Sequence, residues 1–231
     1  MNKHKTIGII GGQGPVSTAD LYMRIIKYYQ DHIGAKFIRD YPPMVIYSVP
    51  TPDLVESVAD ENSTFSLIAE ATKKLEQDGC DFIVVACNSL QYFIDRLQPL
   101  VKIPIIRIAK ISTDYVIEKG YKKVGILASY TTIKKETYSK YLQEAHIEVV
   151  SPNDDDQKIV EQIILNIIGG EQTNEDKSNL LRFIEKLKSQ GAEGILLACT
   201  ELPLLVKQAD TTTPLIDCNE LYAQEAAKRS Y

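Results

Sequence analysis

The sequence predicts an α/β fold of two similar domains, each with a parallel sheet flanked by helices, related by a pseudo-twofold axis, with the active site in the inter-domain cleft. Two observations predict this class. Short apolar runs alternate with longer amphipathic stretches, as in proteins with parallel sheets. In addition, the second half of the chain repeats the order of motifs found in the first half.

Short runs of β-branched and other apolar residues are the candidate strands. They lie at 6–10, 44–48, 82–86, 105–108, 123–127, 148–150, 194–198 and 215–216. Between them, the spacing of apolar residues predicts helices at 18–29, 65–77 and 180–189, and a last helix at 220–229. Gly79 and Gly191 stand just after two of these helices, a position typical of a helix end.

The repeat is clearest around two cysteines. Residues 78–89 and 190–201 share, in the same order, a helix stop, a buried strand, an Ala-Cys pair and two polar residues. The segments that begin at Lys5 and Lys122 match in the same way, as do those that begin at Pro104 and Pro214. Two copies of one α/β domain are the economical explanation.

The two copies set the expected domain boundaries. The first domain is expected at 1–104 together with 214–231, because the last strand and helix are expected to return to it, and the second at 105–213. The chain would pass from one domain to the other near Pro104 and again near Pro214, and these two connections would form a hinge. Ligands of open parallel sheets bind beyond the carboxyl ends of the strands, where Cys87 and Cys199 stand. The two cysteines are therefore expected to face each other across the cleft.

Composition narrows the class of protein. The chain has 231 residues, 44% hydrophobic content and a net charge of −5 from interspersed charges, so nucleic acid is not an expected partner. The sequence has neither a secretory signal nor an apolar run of roughly 20 residues, which indicates a cytoplasmic protein with no membrane partner. The four cysteines lack metal-binding spacing, so neither a disulfide nor a metal is expected.

Cys87 and Cys199 are the candidate catalytic residues. A lone cysteine at a strand end is usually a small buried hydrophobe, and this interpretation is kept for Cys80 and Cys218. Equivalent placement in both copies instead suggests a pair with equivalent tasks. Each of the two stands where a loop turns into a helix, so free backbone N–H groups are expected to lower the pKa of its thiol.

Two matched acid/base groups suit the inversion of a stereocentre. No histidine stands near either cysteine motif, which disfavours a Cys-His hydrolase. Removing a proton from one face of a carbon and delivering one to the other face requires groups on opposite sides, which pseudo-symmetry supplies. The pattern therefore favours racemisation or epimerisation at the α-carbon of a small-molecule amino-acid substrate.

A glycine-rich turn lies between the first strand and the first helix. A dinucleotide-binding loop is one interpretation, but Ser17 stands where that fingerprint requires Gly or Ala. The alternatives are a purely structural turn, or a loop at Gly12 and Gln13 that brings backbone N–H groups to a substrate carboxylate. The corresponding loop of the second copy offers Thr131 and Thr132 as substrate contacts or simply as helix caps.

These motifs resemble the PLP-independent aspartate/glutamate racemase superfamily, in particular its aspartate racemase branch. The resemblance covers essentially the whole chain and is most specific at 9–15, 86–89 and 198–201. It implies two similar α/β domains, one catalytic cysteine from each, no cofactor and a homodimer. It also implies substrate contacts at Asn88, Ser89, Thr132, Thr200 and Glu201.

Some positions depart from the pattern of that family. Gln13 stands at a usual methionine, and Leu54 and Ile168 stand where aspartate-specific members carry basic residues for the side-chain carboxylate. A buried carboxylate without a charged partner is unfavourable. A neutral or apolar amino acid is therefore the expected substrate, with Lys134 or Lys135 as replacement cations if the substrate is acidic.

Two other functions stay open at this point. One is a related cleft enzyme with a cysteine nucleophile, such as a decarboxylase or a cis–trans isomerase of a dicarboxylate. The other is a non-catalytic amino-acid binding protein. Retention of both cysteines favours the racemase over either alternative.

Overall fold

Two parallel β-sheets form the framework of the computed structural model, which describes residues 4–52 and 60–231. In the first sheet, β1 (Ile7–Gly11) lies between β2 (Met44–Ser48) and β3 (Phe82–Val85). The second sheet has the order β5 (Glu148–Val150), β4 (Lys123–Leu127), β6 (Gly194–Leu197) and β7 (Leu215–Asp217). All strand pairs are parallel, and helices flank both sheets, so the predicted fold class is confirmed.

Helices connect the strands and are numbered in chain order. They are α1 (Pro15–Tyr28), α2 (Glu61–Gln77), α3 (Ile94–Leu97), α4 (Ile108–Glu118), α5 (Tyr130–Lys134), α6 (Ser139–Glu144), α7 (Asp154–Gly169), α8 (Asn174–Ser189), α9 (Leu202–Leu205) and α10 (Cys218–Ser230). A 3-10 turn at Asn88–Phe93 follows β3 and carries part of the site described below.

Several helices begin earlier than the spacing of apolar residues predicts, because polar capping residues define their first turns. Asp60 accepts the backbone N–H of Ser63 and starts α2 four residues before the predicted boundary at 65. Thr173 forms a capping box with Asp176 and starts α8 six residues before the predicted boundary at 180. Apolar periodicity begins only after such a polar first turn, so it marks the buried face and not the helix start.

The strand register brings the carboxyl ends of the central strands to one edge of each sheet. In the first sheet, Ile10 is level with Val85, so the glycine turn and the Cys87 loop leave the sheet side by side. In the second, Leu127 is level with Leu197, which places the Ser129 loop beside the Cys199 loop. These loops build the pocket described in the next subsection.

Two sequence predictions about the segments that connect the two halves of the chain are wrong. The predicted strand at 105–108 is reduced to one bridge between Ile83 and Ile105, and α4 begins at Ile108, within the predicted strand. The last strand, β7, pairs with β6 in the second sheet and does not return to the first sheet. The final helix, α10, does pack against α1 and α4. The wider domain boundaries stay a prediction.

A continuous apolar cluster joins the two sheets. It contains Ile7 and Ile9 of β1, Val124 and Ile126 of β4 and Tyr222 of α10. The hydroxyl of Tyr222 donates to the carbonyl of Ile106 and accepts the backbone N–H of Val85, which fastens α10 to the first sheet. Among the described helices, none combines the length and apolar character needed to cross a membrane.

Candidate active site

A cavity of about 290 Å³ lies at the carboxyl ends of the strands, between loops of the first sheet and loops of the second. Its wall consists of Gly12, Gln13, Gly14, Pro15, Thr51, Pro52, Cys87, Asn88, Ser89, Ile164, Leu165, Ile168, Cys199, Thr200 and Glu201. Both candidate cysteines therefore open onto one cavity. Its volume suits a small molecule.

Cys87 follows β3 and stands at the start of the 3-10 turn Asn88–Phe93 with an extended backbone. Burial raises the pKa of its thiol to about 12, and the negative charge of Glu201 acts in the same direction. Hydrogen bonds from Ser89 and Leu90 lower the pKa of Cys87, but they do not offset this rise. At neutral pH, the thiol of Cys87 is therefore protonated.

Cys199 forms part of a hydrogen-bonded group centred on the carboxylate of Glu201. Its Sγ donates to Oε2 of Glu201 at 3.0 Å, and the hydroxyl of Thr200 donates to the same oxygen at 3.0 Å. Oε1 accepts the hydroxyl of Ser17, from α1, at 2.8 Å. Burial, followed by the charge of Glu201 and this hydrogen bond, raises the pKa of Cys199 well above its usual value.

The prediction that the turns after the cysteines lower the two thiol pKa values is wrong. The segments that follow them are only a 3-10 turn and the four-residue helix α9, so the aligned peptide dipoles are few. Burial and the nearby carboxylate outweigh their effect. Each thiol consequently needs a base to become a nucleophile or proton acceptor.

Gly14 is required by the close approach of Glu201. Its φ of +89° lies in the left-handed region, and a Cβ at this position would lie 2.0 Å from Oε1 of Glu201 and 2.6 Å from Oγ of Ser17. The hydroxyl of Thr18 donates to the carbonyl of Gly14, whereas the hydroxyl of Ser17 donates to Glu201. The glycine turn therefore makes room for a carboxylate that belongs to the second half of the chain.

Three buried hydroxyls connect the two halves beside the cavity. Oγ of Ser89 lies 2.8 Å from Oγ of Ser129 and 3.5 Å from Oγ1 of Thr132, and the latter two oxygens are 3.0 Å apart. Thr132 is thus linked to Ser89 both directly and through Ser129. Thr131 is also buried, and neither threonine belongs to the cavity wall. Their assignment as substrate contacts stays a prediction.

Two side-chain amides on the cavity wall have one end bound and one end without a partner among the described residues. The hydroxyl of Tyr138 donates to Oδ1 of Asn88 at 2.6 Å, which leaves Nδ2 of Asn88 buried and unpaired. Nε2 of Gln13 donates to the carbonyl of Val49, which leaves Oε1 of Gln13 buried and unpaired. Asn88 and Tyr138 are 50 positions apart, so only the fold reveals this contact.

The described part of the cavity wall carries no lysine or arginine. Ile164, Leu165 and Ile168 of α7 form an apolar side. The candidate cation Lys135 forms an ion pair with Glu61 at 2.9 Å, and Lys134 lies over the ring of Tyr130. Neither belongs to the cavity wall, whereas Ile168 does.

Leu54, the other position noted in the sequence, lies outside the described residues. Within 4–52 and 60–231, no three His, Cys, Asp or Glu side chains converge as a metal site would require.

Comparisons with known proteins agree over nearly the full length of the chain. A family model described as Asp/Glu/Hydantoin racemase matches residues 10–226. The broad specificity amino-acid racemase RacX of Bacillus subtilis (strain 168) is 31% identical over 218 residues, which cover 94% of this chain and 95% of RacX.

Two solved structures are similar to the whole chain. An aspartate racemase from Picrophilus torridus superposes with a TM-score of 0.86 at 26% identity, over 98% of this chain and 94% of that one. An aspartate racemase homologue from Pyrococcus horikoshii OT3 superposes with a TM-score of 0.82 at 30% identity, over 98% and 99% of the two chains.

Proposed function

Because the chain belongs to the Asp/Glu/hydantoin racemase family, whose members are isomerases, we propose that it racemises an amino acid by proton transfer between Cys87, Cys199 and the α-carbon. The observation that carries this proposal is the presence of both thiols on the wall of one small cavity, each contributed by a different half of the chain. Two-base chemistry needs such a pair, one group for each face of the carbon.

The hydrogen bond between Cys199 and Glu201 suggests how a thiolate forms. The thiol of Cys199 already donates to Glu201 at 3.0 Å, so its proton can move to that carboxylate along an existing hydrogen bond. The resulting thiolate takes the α-hydrogen from one face of the substrate and becomes a thiol again. Cys87 then delivers its proton to the opposite face and is left as the thiolate. A substrate of the other handedness is converted from that second state.

The proposed substrate is a neutral or apolar amino acid. The described wall offers an apolar side at Ile164, Leu165 and Ile168 and no cation for a side-chain carboxylate. Residues 53–59, which follow the wall residue Pro52 in the chain, contain neither lysine nor arginine. The similarity to a racemase described as having broad specificity supports a substrate range beyond aspartate.

Hydrogen exchange at the α-carbon tests the proposal directly. Single enantiomers of alanine, leucine, serine, aspartate and glutamate are incubated with the protein in D₂O, and deuterium incorporation and optical rotation are followed. A racemase introduces deuterium at Cα while rotation decays to zero. Consumption of maleate or an arylmalonate, with no α-hydrogen exchange in any amino acid, would instead support a decarboxylase or a cis–trans isomerase.

Substitution of each cysteine tests the assignment of the two bases. Cys87→Ser and Cys199→Ser should each abolish racemisation, because serine is far too weak an acid to replace a thiol in both protonation states. Cys80→Ser is the matched control, since Cys80 is buried outside the cavity wall and should leave racemisation intact. Full activity in either of the first two variants would exclude the two-base mechanism.

Assembly and location are part of the same proposal. The family resemblance implies a homodimer that needs no cofactor, and the sequence indicates a cytoplasmic location. Light scattering of the purified protein at several concentrations tests the dimer, and a single mass equal to one chain at all of them would contradict it.

A further inference from the structure

We propose that Ser17 is a positioning residue for the proton acceptor of the site, and that its hydroxyl holds the carboxylate of Glu201 in the orientation that accepts the thiol of Cys199. This inference rests on the proposed function, because it assigns a role within the same proton transfer. Ser17 does not belong to the cavity wall, so it acts through Glu201 and not on the substrate.

The direction of the Ser17 hydroxyl follows from its surroundings. Its Oγ lies 2.8 Å from Oε1 of Glu201 and 2.9 Å from the carbonyl oxygen of Gly14, and it has one hydrogen to donate. The carbonyl of Gly14 already accepts both the backbone N–H and the hydroxyl of Thr18, each at 3.0 Å. These two donors occupy its two lone pairs. The hydrogen of Ser17 is therefore left for Glu201.

The glycine turn fixes Thr18 in this arrangement. Oγ1 of Thr18 accepts the backbone N–H of Gly12 at 3.1 Å, so its own hydrogen is directed to the carbonyl of Gly14. A Cβ at Gly11 would lie 2.2 Å from Cγ2 of Thr18, which shows how closely the turn surrounds this side chain. The turn thus directs the Thr18 hydroxyl to the backbone and leaves the Ser17 hydroxyl for the second half of the chain.

Ser17 and Thr200 bind different oxygens of the carboxylate. Oε1 of Glu201 accepts from Ser17, whereas Oε2 accepts from Thr200 and from Sγ of Cys199. Glu201 is 5% exposed, and the described cavity wall has no lysine or arginine to balance its charge. Neutral donors must therefore stabilise the buried carboxylate. Because Oε1 is held by Ser17, the carboxylate cannot turn away from the thiol without losing this bond.

The bond also links the proton acceptor to the other half of the chain. Ser17 belongs to α1, and Glu201 directly precedes α9. When the proton of Cys199 passes to Oε2, one S–H bond breaks, one O–H bond forms, and the negative charge moves from the carboxylate to the sulfur. Ser17 keeps the carboxylate in place for this step, so the acceptor is oriented only where the two halves meet.

A pair of substitutions of equal shape isolates the hydroxyl. Ser17→Val and Ser17→Thr add similar volume at this buried position, but only Ser17→Thr keeps a donor. Thr72→Val is the control, since it removes a buried hydroxyl of α2 that donates to the carbonyl of Ile68, away from the cavity wall. Values of kcat and KM are measured for α-hydrogen exchange with the fastest amino acid of the panel.

A positioning role predicts a loss in kcat and not in KM. Ser17→Val should lower kcat about tenfold, because the acceptor is no longer held next to Cys199. KM should not change, because Ser17 does not contact the substrate. Ser17→Thr should recover most of the lost kcat, and Thr72→Val should behave like the wild-type protein.

Infrared spectroscopy follows the carboxyl group of Glu201 without turnover. Difference spectra between each protein and its Glu201→Gln derivative give the pH at which this group becomes protonated. Loss of a donor to the charged form favours the protonated form, so the midpoint should rise by about one pH unit in Ser17→Val and return towards the wild-type value in Ser17→Thr. The other titratable groups that face Glu201 are the thiols of Cys87 and Cys199, which stay protonated where a carboxyl group titrates.

The outcomes separate this inference from the proposed function. Equal losses of kcat in Ser17→Val and Ser17→Thr, no loss in Ser17→Val, or the same infrared midpoint in both variants would overturn the role of Ser17 and leave the racemase standing. A wild-type protein that exchanges no α-hydrogen, together with the expected change of midpoint, would overturn the racemase and retain Ser17 as the residue that holds Glu201.

Discussion

Replacing Gly14 by alanine tests the role of the carboxylate that joins the two halves of the site. The new Cβ would lie 2.0 Å from Oε1 of Glu201, well inside an ordinary contact distance, so the carboxylate has to move by more than 1 Å. That movement breaks or lengthens the hydrogen bond from Ser17 and displaces the carboxylate that accepts the hydrogen bond of Cys199. Both stability and activity should respond.

The expected magnitudes follow from two separate costs. An alanine in the left-handed region costs roughly 1–2 kcal/mol, and the stiffer unfolded chain offsets about 0.4–1 kcal/mol of it. Loss of one hydrogen bond to a charged group adds roughly 1.5–3 kcal/mol. Gly14→Ala should therefore lower the free energy of unfolding by about 3 kcal/mol. A displacement of about 1 Å at a reacting group can reduce the rate about 100-fold.

Gly34→Ala is the matched control. Gly34 also has a positive φ, of +78°, but a Cβ there meets no atom of the described residues within 4 Å. It should lose about 1 kcal/mol of stability and keep its activity. Urea denaturation gives the stability, and deuterium exchange with the fastest amino acid of the panel gives the activity. Racemisation by Gly14→Ala within threefold of wild type, or an equal loss in Gly34→Ala, would refute the reasoning.

Three further predictions concern charge. Glu201→Gln removes a negative charge that raises the pKa of Cys87, so that pKa should fall from about 12 and alkylation of Cys87 should accelerate at lower pH. Peptide mass spectrometry gives the alkylation rate, and an unchanged pH profile would contradict the effect of the carboxylate. Ile168→Lys places a cation on the cavity wall and should raise kcat/KM for aspartate relative to leucine by about tenfold. Ile117→Lys, an exposed substitution on α4, should not change that ratio, and an equal response in both variants would argue against a specific contact. Arg24→Met should lower the free energy of unfolding by about 2 kcal/mol, because Arg24 is 13% exposed and lies within 2.8 Å of three carboxylates. Urea denaturation measures this loss, and a change below about 0.5 kcal/mol would mean that solvent screens the cluster.

The repeat made the framework of the fold predictable. Strands buried on both faces read as continuous apolar runs, and the runs before Cys87 and Cys199 differ little from the strands observed. Since parallel strands end at one edge of their sheet, the two cysteines could be assigned to one region without knowledge of the helix packing.

Strand partners and side-chain contacts could not be predicted from the sequence. The segments around Ile105 and Leu215 look alike, and each has three residues before the next helix begins, yet the first forms a single bridge and the second a strand. The bond between Asn88 and Tyr138 depends on the docking of two distant loops. The sign of the thiol pKa shifts depends on burial and on the direction in which Glu201 points, and neither can be read from the spacing of residues.

The unequal surroundings of the two cysteines have a consequence for turnover. Cys199 has a carboxylate at hydrogen-bond distance, whereas the turn after Cys87 presents the amide of Asn88. Mirror-image amino acids have equal free energies in water, so a racemase must have the same kcat/KM for both enantiomers, whatever the asymmetry of its site. The different surroundings of the two cysteines can therefore make kcat and KM differ between the enantiomers only if the two differences compensate each other. The enantiomer with the lower KM must be converted more slowly at saturation, by the same factor.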